Sequence, residues 1–291
     1  MQKIEAIEQQ TETKKKLIEQ LKAELKKVRT YRPKVGVFGD TGVGKSSLCN
    51  ALFGKETAKI SNVEACTREP QHIFIGDDNE TGITLIDVPG VGEDSLRHKE
   101  YIELYKKLLP ELDLVLWVFK GDDRKYMSAI DAYNQVFKSN QNPCPVLFVI
   151  NQVDKIEPSE EWYENGKNLG STQIKNLNDR IFDICRRFDI PPSKIVGVST
   201  KNGYGLIELV NTVVDILPND KKSAFTREAK KENVSEEAAK KAEKGVFDHI
   251  KEKFEQAWDY IKDSPEVVAV LVEYAPKALK KVWETLKGKW F

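Results

Sequence analysis

The chain has 291 residues, of which 40% are hydrophobic and 32% are charged, with equal numbers of acidic and basic side chains. The hydrophobic share is large enough for a core, and the high charged share indicates long solvated helices. No stretch approaches the roughly 18 uncharged apolar residues of a membrane-spanning helix. The first thirty residues are rich in Lys and Glu, so we expect that they are not a secretory signal. The four cysteines have no CxxC or metal-binding spacing, so we expect free thiols and a cytoplasmic protein.

The charge is unevenly distributed along the chain. Residues 1–34 carry ten Lys or Arg and five Asp or Glu, and residues 221–291 carry sixteen and thirteen. Residues 35–220 therefore carry twenty basic and twenty-eight acidic side chains. This asymmetry predicts that the two ends have partners different from those of the middle.

The first element in chain order is a helix over 2–29, a stretch without Gly or Pro. Its apolar residues Ile18, Leu21, Leu25 and Val28 recur at spacings of three and four, which is typical of a helix with one buried face. We expect this stripe to pack on the neighbouring domain. A coiled-coil partner is the alternative, although few heptads support it.

From Lys34 to Pro218, apolar runs alternate with helical stretches, a pattern that predicts an α/β domain with a mainly parallel sheet covered on both faces. The predicted strands lie at 35–39, 72–76, 83–87, 112–119, 145–150 and 194–198. The predicted helices lie at 45–54, 97–109, 125–139, 172–188 and 204–217. The link between the second and third strands is too short for a helical crossover, so this pair is predicted to be antiparallel. The predicted organisation is an N-terminal helix (1–33), an α/β domain (34–218) and a helical C-terminal extension (219–291).

The strongest motif, GxxxxGK[ST], follows the first strand and precedes a helix. Its glycines let backbone N–H groups turn towards phosphate oxygens at the positive end of a helix. Lys45 supplies a charge to the terminal phosphates, and Ser46 is a predicted Mg²⁺ ligand. The predicted phosphate-binding residues are Gly39, Asp40, Thr41, Gly42, Val43, Gly44, Lys45, Ser46 and Ser47.

Three further motifs follow predicted strands and specify the nucleotide. Asp87-Val-Pro-Gly90 matches DxxG, in which the carboxylate reaches Mg²⁺ and the Gly90 N–H contacts the γ-phosphate. Asn151-Gln152-Val-Asp154 places a carboxylate that can accept two parallel hydrogen bonds from guanine, which adenine does not offer. Ser199, Thr200 and Lys201 follow the last strand, where a backbone N–H would meet the guanine O6. The predicted ligands are therefore GTP, GDP and Mg²⁺.

Four motifs in this order resemble the Era/TrmE/EngA/septin group of GTPases. The runs KSSLCNALF, ACTREP, DVPGVGE and LDLVLWVFKGDDR resemble, more narrowly, the bacterial YfjP/YeeP-type Era-like GTPases. The resemblance covers roughly residues 1–220. It implies a Ras-like three-layer P-loop GTPase domain with six strands, and a nucleotide-dependent switch that hydrolyses GTP.

The resemblance also assigns residue roles. It makes Thr67, within ACTREP, the switch threonine that ligates Mg²⁺ when GTP is bound. The implied catalytic residues are then Lys45, Thr67 and Gly90, and the implied metal ligands are Ser46, Thr67 and Asp87.

Two departures from the family pattern bear on activity. The guanine motif is usually NKxD, and Gln152 replaces the lysine whose stem lies along the base and the P-loop, so we expect looser guanine binding. Val91 stands where many small GTPases carry the glutamine that orients the attacking water, which predicts slow intrinsic hydrolysis. A nucleotide-dependent interaction module with negligible turnover is the alternative function.

The C-terminal stretch 267–291 combines apolar residues, aromatic residues and lysines. A helix docked on the protein, a helix on a membrane surface and a partner-binding helix all fit this composition. RNA binding through a GxxG loop, as in Era, is not supported, because residues 221–291 contain only Gly245 and Gly288. The predicted partners are an effector protein, bound through the switch regions or the helical ends, and a second copy in a nucleotide-dependent dimer.

Overall fold

The structure is a computed structural model that describes residues 2–53, 71–76, 82–87, 95–122, 126–138 and 144–274. Its strands are β1 (Lys34–Phe38), β2 (Gln71–Gly76), β3 (Gly82–Asp87), β4 (Leu114–Lys120), β5 (Val146–Asn151) and β6 (Ile195–Gly197). They form a sheet in the order β2-β3-β1-β4-β5-β6. Only β2 and β3 pair in antiparallel fashion among these six strands. The predicted six-stranded, mainly parallel sheet and its antiparallel pair are therefore confirmed.

The helices of the sheet region lie where the periodicity predicts them, except for the short helix Glu160–Glu164, which was not predicted. Those of the sheet region are α2 (Lys45–Phe53), α3 (Ser95–Leu108), α4 (Met127–Tyr133), α5 (Glu160–Glu164), α6 (Ser171–Phe188) and α7 (Leu206–Ile216). The chain begins with α1 (Gln2–Thr30), and α8 (Asn219–Glu228), α9 (Glu236–Lys253), α10 (Glu255–Ile261) and α11 (Pro265–Tyr274) follow the sheet. The predicted Ras-like three-layer fold, with an N-terminal helix and a helical extension, is confirmed.

The sheet is buried on both faces, because alternate residues of each central strand point to opposite sides. Along β4, Trp117 and Phe119 belong to the core under α3, α4 and α6. Leu116 and Val118 belong to the core under α2 and α7. The continuous apolar runs of the sequence therefore correspond to strands covered by helices on both sides.

A third apolar core lies between the two ends of the chain. Leu21, Leu25 and Val28 of α1 pack with apolar residues of α9, α10 and α11. The stripe on α1 was predicted to pack on the neighbouring domain. It is instead covered mainly by helices more than 200 residues later in the chain. We call α1 and α8–α11 together the helical unit.

The helical unit is joined to the sheet region through α8. Phe225 belongs to the core under α2 and α7, and its ring meets that of Phe53 at 5.6 Å between centroids. Lys221 Nζ donates to Asp113 Oδ1 at the start of β4. The boundaries predicted at 33/34 and 218/219 remain predictions, and apolar contacts continue across the second of them.

One predicted helix and the predicted helical extension are interrupted in the structure. The stretch predicted at 125–139 is the short α4 followed by a π-helical turn, Asn134–Lys138. Residues 227–262 of the predicted helical extension are divided by the 3₁₀ turn Lys231–Asn233 and by Phe254, which caps α9 and precedes α10. Periodicity marks a buried face but not these interruptions. Within the described ranges, no helix is both long and apolar enough to cross a bilayer.

Candidate nucleotide site

The P-loop, Gly39–Ser46, connects the carboxyl end of β1 to the start of α2. Its glycines at 39, 42 and 44 have φ values of 139°, 83° and 88°, which other residues adopt only with strain. A Cβ on Gly39 would lie 2.3 Å from the backbone oxygen of Val118, and one on Gly44 would lie 2.5 Å from Asn151 Nδ2. The motif therefore needs glycine for its backbone conformation and for its close contact with β4 and β5.

Lys45 begins α2 and folds back over the loop. Its Nζ donates to the backbone oxygens of Gly39 at 3.0 Å and of Asp40 at 3.1 Å. The side chain is half-buried, so its charge is held at the N-terminal end of the helix. A positive charge beside a helix N-terminus provides a site for an anion such as a phosphate group.

Asn151, the last residue of β5, joins the P-loop to the two predicted guanine motifs. The side chain is fully buried, and its Nδ2 donates to the backbone oxygen of Val43 at 2.9 Å. Its Oδ1 accepts from the backbone N–H groups of Gln152 at 2.8 Å and of Thr200 at 3.3 Å. One amide thus joins the segments at Val43, Gln152 and Thr200, of which the first and last are more than a hundred residues apart in the sequence.

Gln152 lies against the P-loop. Its backbone is left-handed, with φ 61° and ψ 38°, and its Nε2 donates to the backbone oxygen of Gly42 at 3.3 Å. Lys155, which sequence reasoning did not single out, donates from Nζ to Gln152 Oε1 at 2.8 Å. Asp154, half-buried, lies between them in the 3₁₀ turn Val153–Lys155.

The segment Ser199–Lys201 forms a closed turn beside the same edge of the sheet. Ser199 is fully buried; its N–H donates to the backbone oxygen of Tyr204 at 3.0 Å, and its Oγ accepts from Asn202 Nδ2 at 3.0 Å. Burial, and then the Glu208 carboxylate, raise the pKa of Tyr204 above its ordinary value of 10.0. Sequence reasoning missed Asn202 and Tyr204 as supports, although the glycines at 203 and 205 signal a tight turn.

The predicted metal ligands are placed only in part. Ser46 is half-buried in the first turn of α2. Asp87 is the last residue of β3 and pairs with Val37 in the β1–β3 register, two residues before the P-loop. Thr67, Gly90 and Val91 lie outside the described residues. Hydroxyl and carboxylate oxygens are the ligands that Mg²⁺ prefers, so the donor types at Ser46 and Asp87 suit that ion.

Comparison with known proteins finds one matching family model and similar proteins in Escherichia coli. A family model described as a 50S ribosome-binding GTPase matches residues 34–152. YkfA of Escherichia coli (strain K12) is 40% identical over 204 residues, covering 69% of this chain and 68% of its own length. YfjP of the same strain is 37% identical over 207 residues, covering 70% of this chain and 69% of its own length.

A solved structure is similar over a comparable part of the chain. Era from Aquifex aeolicus, as a variant bound to GDP·AlF4⁻, is 28% identical with a TM-score of 0.48. The match covers 64% of this chain and 56% of that one.

Proposed function

From the membership of this chain in the Era-like family of P-loop GTPases, in the group that includes YkfA and YfjP, we propose that it binds GTP and GDP and hydrolyses GTP with Mg²⁺ as a nucleotide-dependent switch. The observation that carries the proposal is the buried Asn151 amide. It holds the P-loop at Val43 and the guanine motifs at Gln152 and Thr200 in one arrangement. A phosphate cradle alone would accept many nucleotides, whereas this connection holds beside it the residues that would bind a base.

The phosphates would be held by the P-loop. Backbone N–H groups at the start of α2 and the Lys45 ammonium offer donors to the β- and γ-phosphate oxygens. The contacts of Lys45 Nζ with the backbone oxygens of Gly39 and Asp40 hold that charge over the loop. Removing the ammonium should therefore affect nucleotide binding more than folding.

Guanine would be selected by Asp154. Its carboxylate can accept from N1–H and the exocyclic amine of guanine together, while Asn151 and the Ser199–Lys201 turn hold the rest of the base pocket. Adenine lacks this pair of donors and would leave a polar group unpaired, which binding sites reject strongly. We therefore expect preference for GTP over ATP in spite of Gln152.

Mg²⁺ would be held by oxygen ligands from Ser46, from Asp87 through water, and from Thr67 in the GTP state. When bound, the ion neutralises charge on the β- and γ-phosphates. Thr67 and Gly90 would order around the γ-phosphate and relax after hydrolysis, as switch segments do. Val91 offers no side-chain hydrogen bond to a water, so we expect slow turnover without a partner or a second copy.

The test uses the purified full-length chain with Mg²⁺. Phosphate release and equilibrium binding are measured with GTP and ATP, for the parent and for Lys45→Ala. We expect GTP to bind and to be hydrolysed slowly, ATP to bind at least about a hundredfold more weakly, and Lys45→Ala to lose triphosphate binding. Equal binding of GTP and ATP would refute the base assignment. Clear GTP binding with no phosphate release would favour the interaction module.

A matched variant tests the role of Asp154 directly. Asp154→Asn replaces an acceptor with a donor, so it should lower GTP affinity and raise affinity for XTP, whose xanthine base carries a carbonyl in place of the exocyclic amine. Rescue by XTP separates a recognition role from misfolding. An Asp154→Asn protein that prefers GTP as strongly as the parent would remove Asp154 from the base pocket.

The partner proposals concern the switch segments and the ends of the chain. We propose a cytoplasmic protein that engages an effector through the switch segments or the helical unit, with nucleotide-dependent dimerisation as one route to activation. Of the stretch 267–291, Val267 and Val270 are buried against α1, which supports the docked-helix interpretation for α11. Residues 275–291, where membrane or partner contact was considered, lie outside the described residues. We do not propose nucleic-acid binding.

A further inference from the structure

The side chain of Gln152 forms a bridge between the P-loop and Lys155. Its Nε2 donates to the backbone oxygen of Gly42 at 3.3 Å, and its Oε1 accepts from Lys155 Nζ at 2.8 Å. Lys155 is three residues from Gln152 in the sequence, whereas Gly42 is 110 residues away. Gln152 is half-buried, whereas Lys155 is exposed.

The surroundings of Gln152 permit one orientation of its amide. The backbone N–H donates to Asn151 Oδ1 at 2.8 Å, which fixes the residue where its side chain reaches the P-loop. With the amide reversed, Nε2 would face the Lys155 ammonium and Oε1 would face the backbone oxygen of Gly42, and both contacts would be repulsive. Lys155 therefore keeps the amide donor directed at the P-loop.

We propose that Gln152 and Lys155 together replace the single lysine of the NKxD pattern, and that Lys155 is a positioning residue for guanine-nucleotide binding. The inference rests on the proposed function. A lysine at position 152 would combine a long stem along the P-loop with a positive charge at its end. Here Gln152 supplies the arm that contacts Gly42, and Lys155 supplies the charge, which would favour an adjacent purine ring.

A simpler interpretation is that Lys155 is an exposed lysine with an incidental contact. Exposed charged contacts usually contribute little, about 0–1 kcal/mol. The two interpretations differ in what happens when position 152 changes. If Gln152 and Lys155 share one role, placing a lysine at 152 makes Lys155 dispensable. If the contact is incidental, the effect of losing Lys155 does not depend on position 152.

The experiment is a double-mutant cycle on the full-length chain with fluorescently labelled GDP and labelled ADP. The variants are Gln152→Lys, Lys155→Ala and the two combined. Lys194→Ala is a matched control, because Lys194 is also exposed and also closes a 3₁₀ turn, Pro192–Lys194. Urea unfolding without nucleotide is measured for every variant, so that an effect on folding is separated from one on binding.

We expect Lys155→Ala to raise the Kd for GDP by roughly threefold to tenfold, with an unchanged unfolding midpoint. Gln152→Lys should bind GDP at least as tightly as the parent, and adding Lys155→Ala to it should change the Kd less than about twofold. Lys155→Ala that behaves like Lys194→Ala overturns the inference. So does a loss on Lys155→Ala that is the same in both backgrounds. If the parent binds no GDP, the proposed function is wrong, and the inference that rests on it is wrong as well.

Discussion

Asn151 shows how one side chain can organise the candidate site. Its amide is fully buried and makes three hydrogen bonds, all to backbone groups. The backbone oxygen of Asn151 also accepts from the Gly121 N–H at 2.7 Å, so the residue touches the ends of β4 and β5 and the P-loop. A buried amide in this position stabilises the fold and the proposed base-binding residues by the same contacts.

Asn151→Ala should lower the free energy of unfolding by about 1–3 kcal/mol, because it leaves the backbone oxygen of Val43 and two N–H groups without their partner. Urea unfolding without nucleotide measures this loss. Asn168→Ala is the control, since Asn168 is exposed and its Nδ2 donates to the backbone oxygen of Asn165 at a long 3.4 Å. Equal stability of the two variants would contradict the role given to Asn151.

At the scale of elements, the nine-residue helix α2 has both ends fixed by contacts of different kinds. Its first residue belongs to the P-loop. At its other end, the backbone oxygen of Leu52 accepts from the Lys230 N–H at 2.7 Å, and that of Ala51 accepts from Asn233 Nδ2 at 2.9 Å. Helix C-termini leave backbone oxygens without intrahelical donors, and here the connection between α8 and α9 supplies them. The helical unit is therefore bonded directly to the helix that starts at Lys45.

Asn233→Ala should lower the free energy of unfolding by about 1–2 kcal/mol, because Asn233 is buried and its donor satisfies a helix-end oxygen. Hydrogen exchange should also become faster in the last turn of α2, since that turn loses an anchor. Mass spectrometry of α2 peptides measures the exchange, and Asn178→Ala, at an exposed position of α6, is the control. Unchanged exchange in α2 would show that the cap is not needed there.

For the whole molecule, the contacts around Asp113 hold the helical unit against the sheet. Tyr31 Oη donates to the Asp113 carboxylate at 2.7 Å, the Lys34 N–H donates to it at 2.8 Å, and Lys221 also donates to it. Arg227 donates to the backbone oxygens of Arg29 and Tyr31. The contacts of Asp113 lie where β1 and β4 begin, whereas the candidate nucleotide site lies where the strands end. Through these contacts, the helical unit is held at the end of the sheet opposite the P-loop.

This cluster predicts a loss of stability in alkali. Burial, and then the Asp113 carboxylate, raise the pKa of Tyr31 above its ordinary value of 10.0. The folded chain therefore keeps the phenolic proton to higher pH than the unfolded chain does. The resulting stabilisation is complete below pH 10 and is lost as the pH rises through the folded pKa.

Unfolding in urea between pH 8 and pH 11, bracketing the unfolded pKa of about 10, measures this dependence. Tyr31→Phe should be less stable at pH 8, by about 1 kcal/mol, and should lose less stability on going to pH 11 than the parent. Tyr163→Phe is the control, because Tyr163 is 71% exposed. A Tyr31→Phe protein with the same alkaline slope as the parent would exclude Tyr31 as the source.

The amino-acid sequence by itself determined the six strands, the helices of the sheet region other than α5, and the identity of the P-loop. The periods of strands and helices are set by residues that are near one another in the sequence. Gly39–Ser46 is likewise a local pattern, and its glycines permit the positive φ angles of the loop. The sequence also indicated that the motifs at Asn151 and Ser199 follow strands, and in the structure Asn151 ends β5 and Ser199 lies two residues after β6.

Only the tertiary structure decided which faces meet. Periodicity marked the stripe at Leu21, Leu25 and Val28 as buried, but an apolar stripe is complementary to any other, so its partners in α9–α11 were not predictable. The contacts of Lys155 with Gln152 and of Asn233 with α2 depend on side-chain directions at chain turns. Hydrophobic burial is non-directional, so the apolar stripe did not determine its partner. Hydrogen bonds are directional, so these two contacts form only where the fold brings donor and acceptor together.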